Sequence, residues 1–165
     1  MAKEQSFDVV SNVDMQEVDN AVQQATKELV QRYDLKDSGA TIALDKTVAT
    51  ITVAAPADFV AKQVVDVLGT KLVRRGIDLK ALDWGAPEAA SGGSVRLTAK
   101  IVNGIEAELA RRINKDIRDQ KLKVKVQIEG DKLRVFSPKR DELQEVIAFL
   151  KDCDYGIPLQ FTNYR

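Results

Sequence analysis

The sequence predicts a mixed α+β protein in which one arrangement of strands and helices occurs twice. Strand-like and helix-like segments follow the order β-α-β-β-α-β in each half of the 165-residue chain. Apolar side chains recur at three and four positions in the helical segments and alternate in the strand segments, as expected when helices cover one face of a sheet. Gly, Pro, Asn and Asp separate these segments. Each half is therefore expected to form one small domain.

The first half begins with a short strand and a long helix. Residues 6–11 are β-prone, with Phe7 and Val9 on one side. Residues 14–33 are predicted to be helical, and Asp14 and Glu17 have the spacing of a capping box. The apolar stripe that indicates this helix comprises Val18, Ala21, Val22, Ala25 and Leu29.

A hairpin is predicted after this helix. Residues 40–44 and 47–53 form its strands, and Asp45-Lys46 is its turn, which pairs Ile42 with Ala49 toward the core. The outward positions are then small and uncharged: Thr41, Ala43, Val48 and Thr50. Such a face suits contact with another domain or subunit better than contact with phosphate.

A second helix and a linker complete the first half. The helix begins near Pro56 and Asp58 and ends at Arg74-Arg75-Gly76, where cations and a glycine favour helix termination. An extended segment, residues 79–84, follows. Only the stretch from 85 to 93 has the composition of a linker. The predicted domains are therefore residues 1–84 and 94–165, with a linker over 85–93.

The second half repeats the series. Residues 94–101 alternate as a strand, Asn103 is the predicted cap of a helix, Ser137-Pro138 begins the last helix, and residues 159–164 form the last strand. The isoleucine-rich stripe of the first of these helices is Ile105, Leu109, Ile113 and Ile117. Six elements in this order give a ferredoxin-like (split βαβ) fold, a four-stranded antiparallel sheet with two helices on one face.

The hairpin of the second half is predicted to carry cations on its uncovered face. With Gly130-Asp131 as the turn, Ile128 pairs with Leu133 and Val126 pairs with Val135 toward the helices. The opposite side, here named the basic face, comprises Lys123, Lys125, Gln127, Lys132, Arg134 and Phe136. Lysine and arginine could neutralise phosphate, and the phenylalanine ring could stack on a base. An ordinary solvated strand face is the alternative interpretation.

A second basic cluster lies on the predicted helix after Asn103, opposite its apolar stripe. Its cations are Arg111, Arg112, Lys115 and Arg118. Arg112 and Lys115 are candidate phosphate contacts. Glu108 and Asp116 lie among these cations, so a solvated helix surface is again the alternative.

Composition restricts the possible chemistry. The chain has no histidine and one cysteine, which excludes histidine-dependent triads, histidine metal sites and a histidine-activated thiol. No apolar run reaches the length of a membrane span, and residues 1–5 lack the apolar core of a secretory signal. Residues 1–93 carry 10 basic and 14 acidic side chains, whereas residues 94–165 carry 15 and 11. We expect a cytoplasmic protein that is not an enzyme, needs no metal or cofactor, and places any anion-binding surface in its second half.

Several blocks of the sequence resemble the YajQ family of bacterial proteins, and together they span essentially the whole chain. The blocks are residues 6–11, 71–77, 121–125, 130–135, 139–144 and 158–163. The resemblance implies two ferredoxin-like domains, a cytosolic location and nucleotide binding without an established enzymatic activity. It links the chain to nucleoside triphosphates, to RNA and to cyclic di-GMP, with a regulatory role alongside other proteins. It also implies that the N-terminal strands of the two domains are exchanged.

Two functional hypotheses follow. The first is a non-enzymatic nucleotide-binding protein with a regulatory role, whose ligand is a nucleoside triphosphate, a cyclic dinucleotide or RNA, with a regulatory protein as a further partner and no membrane contact. Its candidate contact residues are Lys123, Lys125, Lys132, Arg134, Phe136, Arg112 and Lys115. The alternative is a protein–protein interaction module or transcriptional co-regulator in which the basic face is incidental.

Overall fold

The computed structural model describes residues 4–165. Within them the chain forms four α-helices and two antiparallel sheets, so the predicted α+β class is confirmed. Contacts divide the chain into two compact units. The central unit is Val13–Val102, and the terminal unit joins Asn103–Arg165 to the N-terminal segment that ends at Asn12.

These units differ from the boundaries predicted at residues 1–84, 85–93 and 94–165. The reason is strand pairing, because each sheet contains an inner strand from the other half of the chain. The predicted linker also contributes structure, since a short strand and a 3-10 turn lie within it.

The central unit places two helices against one face of its sheet. The helices are α1 (Met15–Gln31) and α2 (Asp58–Arg74), and the strands are β2 (Thr41–Asp45), β3 (Thr50–Ala55), β4 (Leu82–Trp84), β5 (Glu88–Ala89) and β6 (Val95–Ile101). The strand order is β2-β3-β6-β4, and β5 also pairs with β6. The predicted stripe of α1 is buried, as the spacing of its apolar residues requires.

Only the Asp14 half of the predicted capping box forms at the start of α1. The Asp14 carboxylate accepts the backbone N–H groups of Gln16 and Glu17 at 3.0 and 3.4 Å. The Glu17 carboxylate accepts instead from the side chains of Asn20 and Arg75, at 3.1 and 3.3 Å. Aspartate alone therefore satisfies the free amides at this helix end.

The predicted register of the first hairpin is wrong. Ile42 pairs with Val53, not with Ala49, and Asp45 pairs with Thr50. The loop has four residues because the Asp45 carboxylate accepts the N–H groups of Thr47 and Val48 and Ala49 adopts a φ of 52°. Val48 therefore lies in the turn and not on the outward face.

The terminal unit has the same layered arrangement. Its strands are β1 (Gln5–Val10), β7 (Lys125–Glu129), β8 (Lys132–Ser137) and β9 (Gln160–Thr162), and its helices are α3 (Ala107–Asp119) and α4 (Arg140–Asp152). The strand order β7-β8-β1-β9 makes β1 an inner strand. The core contains Phe7, Val9, Leu133 and Val135 from the sheet and Ile113, Ile117, Val146 and Leu150 from the helices.

Two predicted helix starts in the terminal unit are wrong by a few residues. Asn103 does not cap α3, because the N–H groups of Gly104 and Ile105 bond to the carbonyls of Ser11 and Asp131 and keep the chain out of the helix there. Ser137 ends β8 instead of capping α4, although its hydroxyl still accepts the N–H of Lys139 at 3.1 Å.

Candidate functional site

The basic face is positioned by the hairpin of β7 and β8. The predicted register is confirmed: Ile128 pairs with Leu133, and Lys125 pairs with Phe136. Leu133 and Val135 are buried against the helices, so the alternate side chains project from the opposite side of the sheet. The face therefore exists where the sequence places it.

An acidic side chain at the centre of the sheet changes the charge of this face. β1 places Asp8 beside Arg134 on one side and Thr162 on the other. Asp8 is only 2 % exposed. Its carboxylate accepts from Arg134 Nε at 2.8 Å, Asn163 Nδ2 at 2.9 Å and Lys132 Nζ at 3.3 Å. The hydrogen bond from Arg134 is the main reason why the pKa of Asp8 falls from 3.8 to about 2.

The four cations of the basic face therefore divide into two pairs. Lys132 and Arg134 are bound to Asp8, and Arg134 also lies 3.5 Å from Glu129. Lys123 and Lys125 are exposed, and neither forms an ion pair within 4.0 Å among residues 4–165. Phe136 is half-buried in the same row of the sheet as Lys125. The two lysines and the ring are thus the part of the basic face most available to a ligand.

Sequence reasoning missed Asp8, although a signal for it was present. Asp8 alternates with Phe7 and Val9, so its side chain must point away from the core that they enter. Strand order then brings it next to Arg134. An acidic residue at an outward position of an inner strand is an indication that neighbouring cations are already paired.

The candidate residues on α3 lie apart from the basic face. α3 packs against the inner side of the sheet through Ile113 and Ile117, whereas the lysines project from the outer side. Arg112 lies over the ring of Tyr155, with 5.2 Å between guanidinium carbon and ring centroid. Burial and a 2.7 Å hydrogen bond to Asp116 raise the pKa of Tyr155. Lys115 is exposed on the same helix. The structure does not bring Arg112 and Lys115 together with Lys125.

The uncovered face of the central sheet is less neutral than predicted. Thr41 and Ala43 are exposed there, opposite Ala54 and Thr52 of β3. The inner strand β6 adds exposed cations, Arg96 and Lys100, to this surface. These two cations belong to the central sheet and not to the basic face.

No group of three or more His, Cys, Asp or Glu side chains that could hold a metal occurs among residues 4–165. In the same part of the chain, no helix has both the length and the apolar character needed to cross a membrane. Cys153 is a free, half-buried thiol.

The ion pairs of Asp8 predict acid sensitivity. The pKa of Asp8 is 3.8 in the unfolded chain and about 2 in the folded chain. The ionised carboxylate therefore contributes fully to the free energy of unfolding above about pH 5, and this contribution is lost as the pH falls through the folded pKa. We expect a loss of about 1–2 kcal/mol in the free energy of unfolding, allowing for solvent screening. Urea unfolding of the natural chain and Asp8→Asn should therefore differ most near neutral pH and converge toward about pH 2. Parallel pH profiles of the two proteins would contradict the assignment.

Comparison with known proteins identifies the family. The family model described as nucleotide-binding protein YajQ-like matches residues 5–165. A protein of Endomicrobium trichonymphae is 47% identical over 165 residues, and one of Carboxydothermus hydrogenoformans is 49% identical over 165, in both cases across 100% of each chain. A protein of Alkaliphilus oremlandii is 47% identical over the same length. All three are named nucleotide-binding protein. This chain therefore belongs to the YajQ-like family of nucleotide-binding proteins.

Proposed function

We propose that this protein is a non-enzymatic, cytoplasmic protein that binds nucleotides in single-stranded RNA through its basic face and has a regulatory role. The observation that carries the proposal is the pairing of exposed Lys125 with Phe136, whose ring is half-buried, together with exposed Lys123 two residues before the start of β7. An open sheet surface suits an extended strand better than a compact ligand, because successive bases can stack while lysines follow the phosphates. The names of the relatives support nucleotide binding.

The chemistry of the chain supports a binding role over catalysis. The sequence has no histidine, and its one cysteine is half-buried. A ligand that is bound but not consumed can report its own concentration to a partner protein, which supports the regulatory role. Reproducible turnover of a nucleotide by the purified protein would overturn this part of the proposal.

The lysines of the basic face should control RNA affinity. We expect Lys123→Gln combined with Lys125→Gln to weaken binding of a single-stranded RNA of about ten nucleotides about tenfold at low salt. The slope of log K against log salt should decrease by about 1.4, since two phosphate contacts are lost. Fluorescence anisotropy with labelled RNA between about 50 and 200 mM salt measures both effects.

The matched control removes the same charge from the other unit. Arg96→Gln combined with Lys100→Gln changes two exposed cations of the central sheet. This variant should retain most of the RNA affinity. Equal losses in the two double variants would mean that general charge, and not the basic face, governs binding.

A protein-interaction role is the second candidate, and one observation favours it. Asp8 forms ion pairs with Lys132 and Arg134, so two of the four cations of the basic face already have a partner within the fold. Under this alternative the exposed small side chains of the central sheet, such as Thr41 and Ala43, contact a regulatory protein. Unchanged RNA affinity after replacement of Lys123 and Lys125 would favour it.

A further inference from the structure

The outer edge of strand β2 in the central sheet is open. β2 lies at one end of the strand order β2-β3-β6-β4, so only its side toward β3 is paired. Among residues 4–165, no backbone hydrogen bond outside that pairing reaches residues 41–45. Alternate residues of an edge strand direct their N–H and C=O groups away from the sheet. β2 therefore offers a row of unpaired backbone donors and acceptors.

The other sheet edges in the described part of the chain have protection that β2 lacks. β4, β5 and β9 have only two or three residues each, and short edge strands offer little for pairing. β7 has five residues, but Lys125 and Glu129 place a charge at each of its ends. β2 has the sequence Thr-Ile-Ala-Leu-Asp, without lysine, arginine or proline. The residues that commonly prevent edge pairing are thus absent from β2.

The sequence of β2 is complementary to a second copy of itself. Opposite residues of an antiparallel pair lie on the same side of the sheet, so Ile42 and Leu44, which pack toward the helices, must meet inward residues of the other copy. Only a two-fold axis at Ala43 pairs all five residues of both strands in this way. It places Ile42 opposite Leu44 on the inner side. On the outer side it places Thr41 opposite Asp45, where the hydroxyl can donate to the carboxylate.

The side of α1 that borders this edge adds exposed apolar surface. Asp19 marks that side, because its carboxylate lies 2.9 Å from Nζ of Lys46, the residue that follows β2. Val30 lies about three helical turns after Asp19 on the same side and is 65% exposed. A two-fold axis at Ala43 keeps the helices of both copies on one side of the joined sheet. The two α1 helices then become neighbours, and Val30 can be covered.

We propose that two copies of this protein associate by antiparallel pairing of their β2 strands, which joins the two central sheets into one continuous sheet. The contact is isologous, because each copy supplies the same residues around the two-fold axis. A five-residue strand is small compared with the roughly 20–30 residues that a stable interface uses on each side. We therefore expect a reversible dimer with a dissociation constant on the order of 10–100 µM. The pairing does not involve the basic face and does not depend on RNA binding there.

A cysteine at the two-fold axis tests the register. In a Cys153→Ser background, which removes the natural thiol, Ala43→Cys would place two thiols directly opposite each other. Opposite Cα atoms lie about 4.5–5.5 Å apart, within the range of about 4.4–6.8 Å that a disulfide spans. Thr41→Cys is the matched control, since it is exposed on the same strand but its two thiols would lie about 13 Å apart. Oxidised glutathione should link Ala43→Cys into a covalent dimer and leave Thr41→Cys largely monomeric.

Sedimentation equilibrium of the natural chain between about 1 and 500 µM measures the association itself. Ala43→Lys should weaken it about tenfold or more, because two lysines would stand directly opposite each other. Gln127→Lys adds the same charge at an exposed position of β7, the edge of the other sheet, and should leave the association unchanged. Ala43 is exposed, so its substitution should preserve the fold, which circular dichroism checks.

Three results would overturn the proposal. The first is a natural chain that stays monomeric up to about 500 µM, which would leave the β2 edge to a segment of another protein. The second is equal crosslinking of Ala43→Cys and Thr41→Cys, which would indicate random collision. The third is equal weakening by Gln127→Lys and Ala43→Lys, which would assign the association to β7 or to general charge. Failure of the basic-face proposal would leave each of these measurements unchanged.

Discussion

Phe7→Ala is expected to lower the free energy of unfolding of the terminal unit by about 3–5 kcal/mol. Phe7 is fully buried in the core between the sheet and the helices. Its ring contacts Phe161 and Tyr164, with centroids 6.0 and 6.2 Å away. Truncation would therefore remove apolar burial and leave a cavity that these neighbours only partly fill.

The strands that lose protection from hydrogen exchange in Phe7→Ala are as informative as the loss of unfolding free energy. Because β1 pairs with β8 and β9, hydrogen exchange should accelerate in those strands, although they lie more than a hundred residues along the chain. Amides of β2 and β3 should keep their protection. Faster exchange in β2 and β3, with β8 unaffected, would contradict the strand order.

The control for Phe7→Ala is a phenylalanine of the central unit that lies at the surface. Phe59 is 67% exposed. Phe59→Ala should therefore cost less than about 1 kcal/mol in urea unfolding. Similar losses in the two variants would show that aromatic content, and not burial of the first strand, determines the effect.

Asp8→Ala is expected to lower the free energy of unfolding by about 2–3 kcal/mol and to increase RNA affinity at the same time. The loss of stability follows because Arg134, Lys132 and Asn163 each lose the carboxylate that they contact. The gain in affinity follows because Lys132 loses its ion-pair partner and Arg134 keeps only its contact with Glu129. One added unit of effective charge near a phosphate is worth about 1 kcal/mol, or about fivefold in affinity at low salt.

Urea unfolding and RNA anisotropy on the same variant measure both effects. Asp19→Ala is the matched control: it removes the same charge from an ion pair with Lys46, whose Nζ lies 2.9 Å from the carboxylate, and the Asp19 side chain is 24% exposed against 3% for Asp8. That variant should change stability and RNA affinity less, since water already screens a partly exposed ion pair. A fall in RNA affinity in Asp8→Ala, with the fold intact by circular dichroism, would count against the basic face as the binding surface.

Local patterns in the sequence predicted most of the elements and one of the two hairpin registers. The register of β7 and β8 could be predicted because a one-residue slip would bury lysine in the core. The first hairpin lacks that constraint. Its candidate registers place only small or apolar residues inside, and the side-chain hydrogen bonds of Asp45 then select the longer loop.

The sequence by itself determined the class of fold, the buried faces of the helices and the positions of the cations on the β7–β8 hairpin. These features depend on side-chain periodicity and turn chemistry over short distances. Only the tertiary structure decided which strands and side chains are the neighbours of β1 and of the last residues. It brought Asp8 to Arg134 and Tyr164 to Phe7. Pairing between strands so far apart in sequence depends on how whole sheets pack, because no local pattern distinguishes one available strand edge from another.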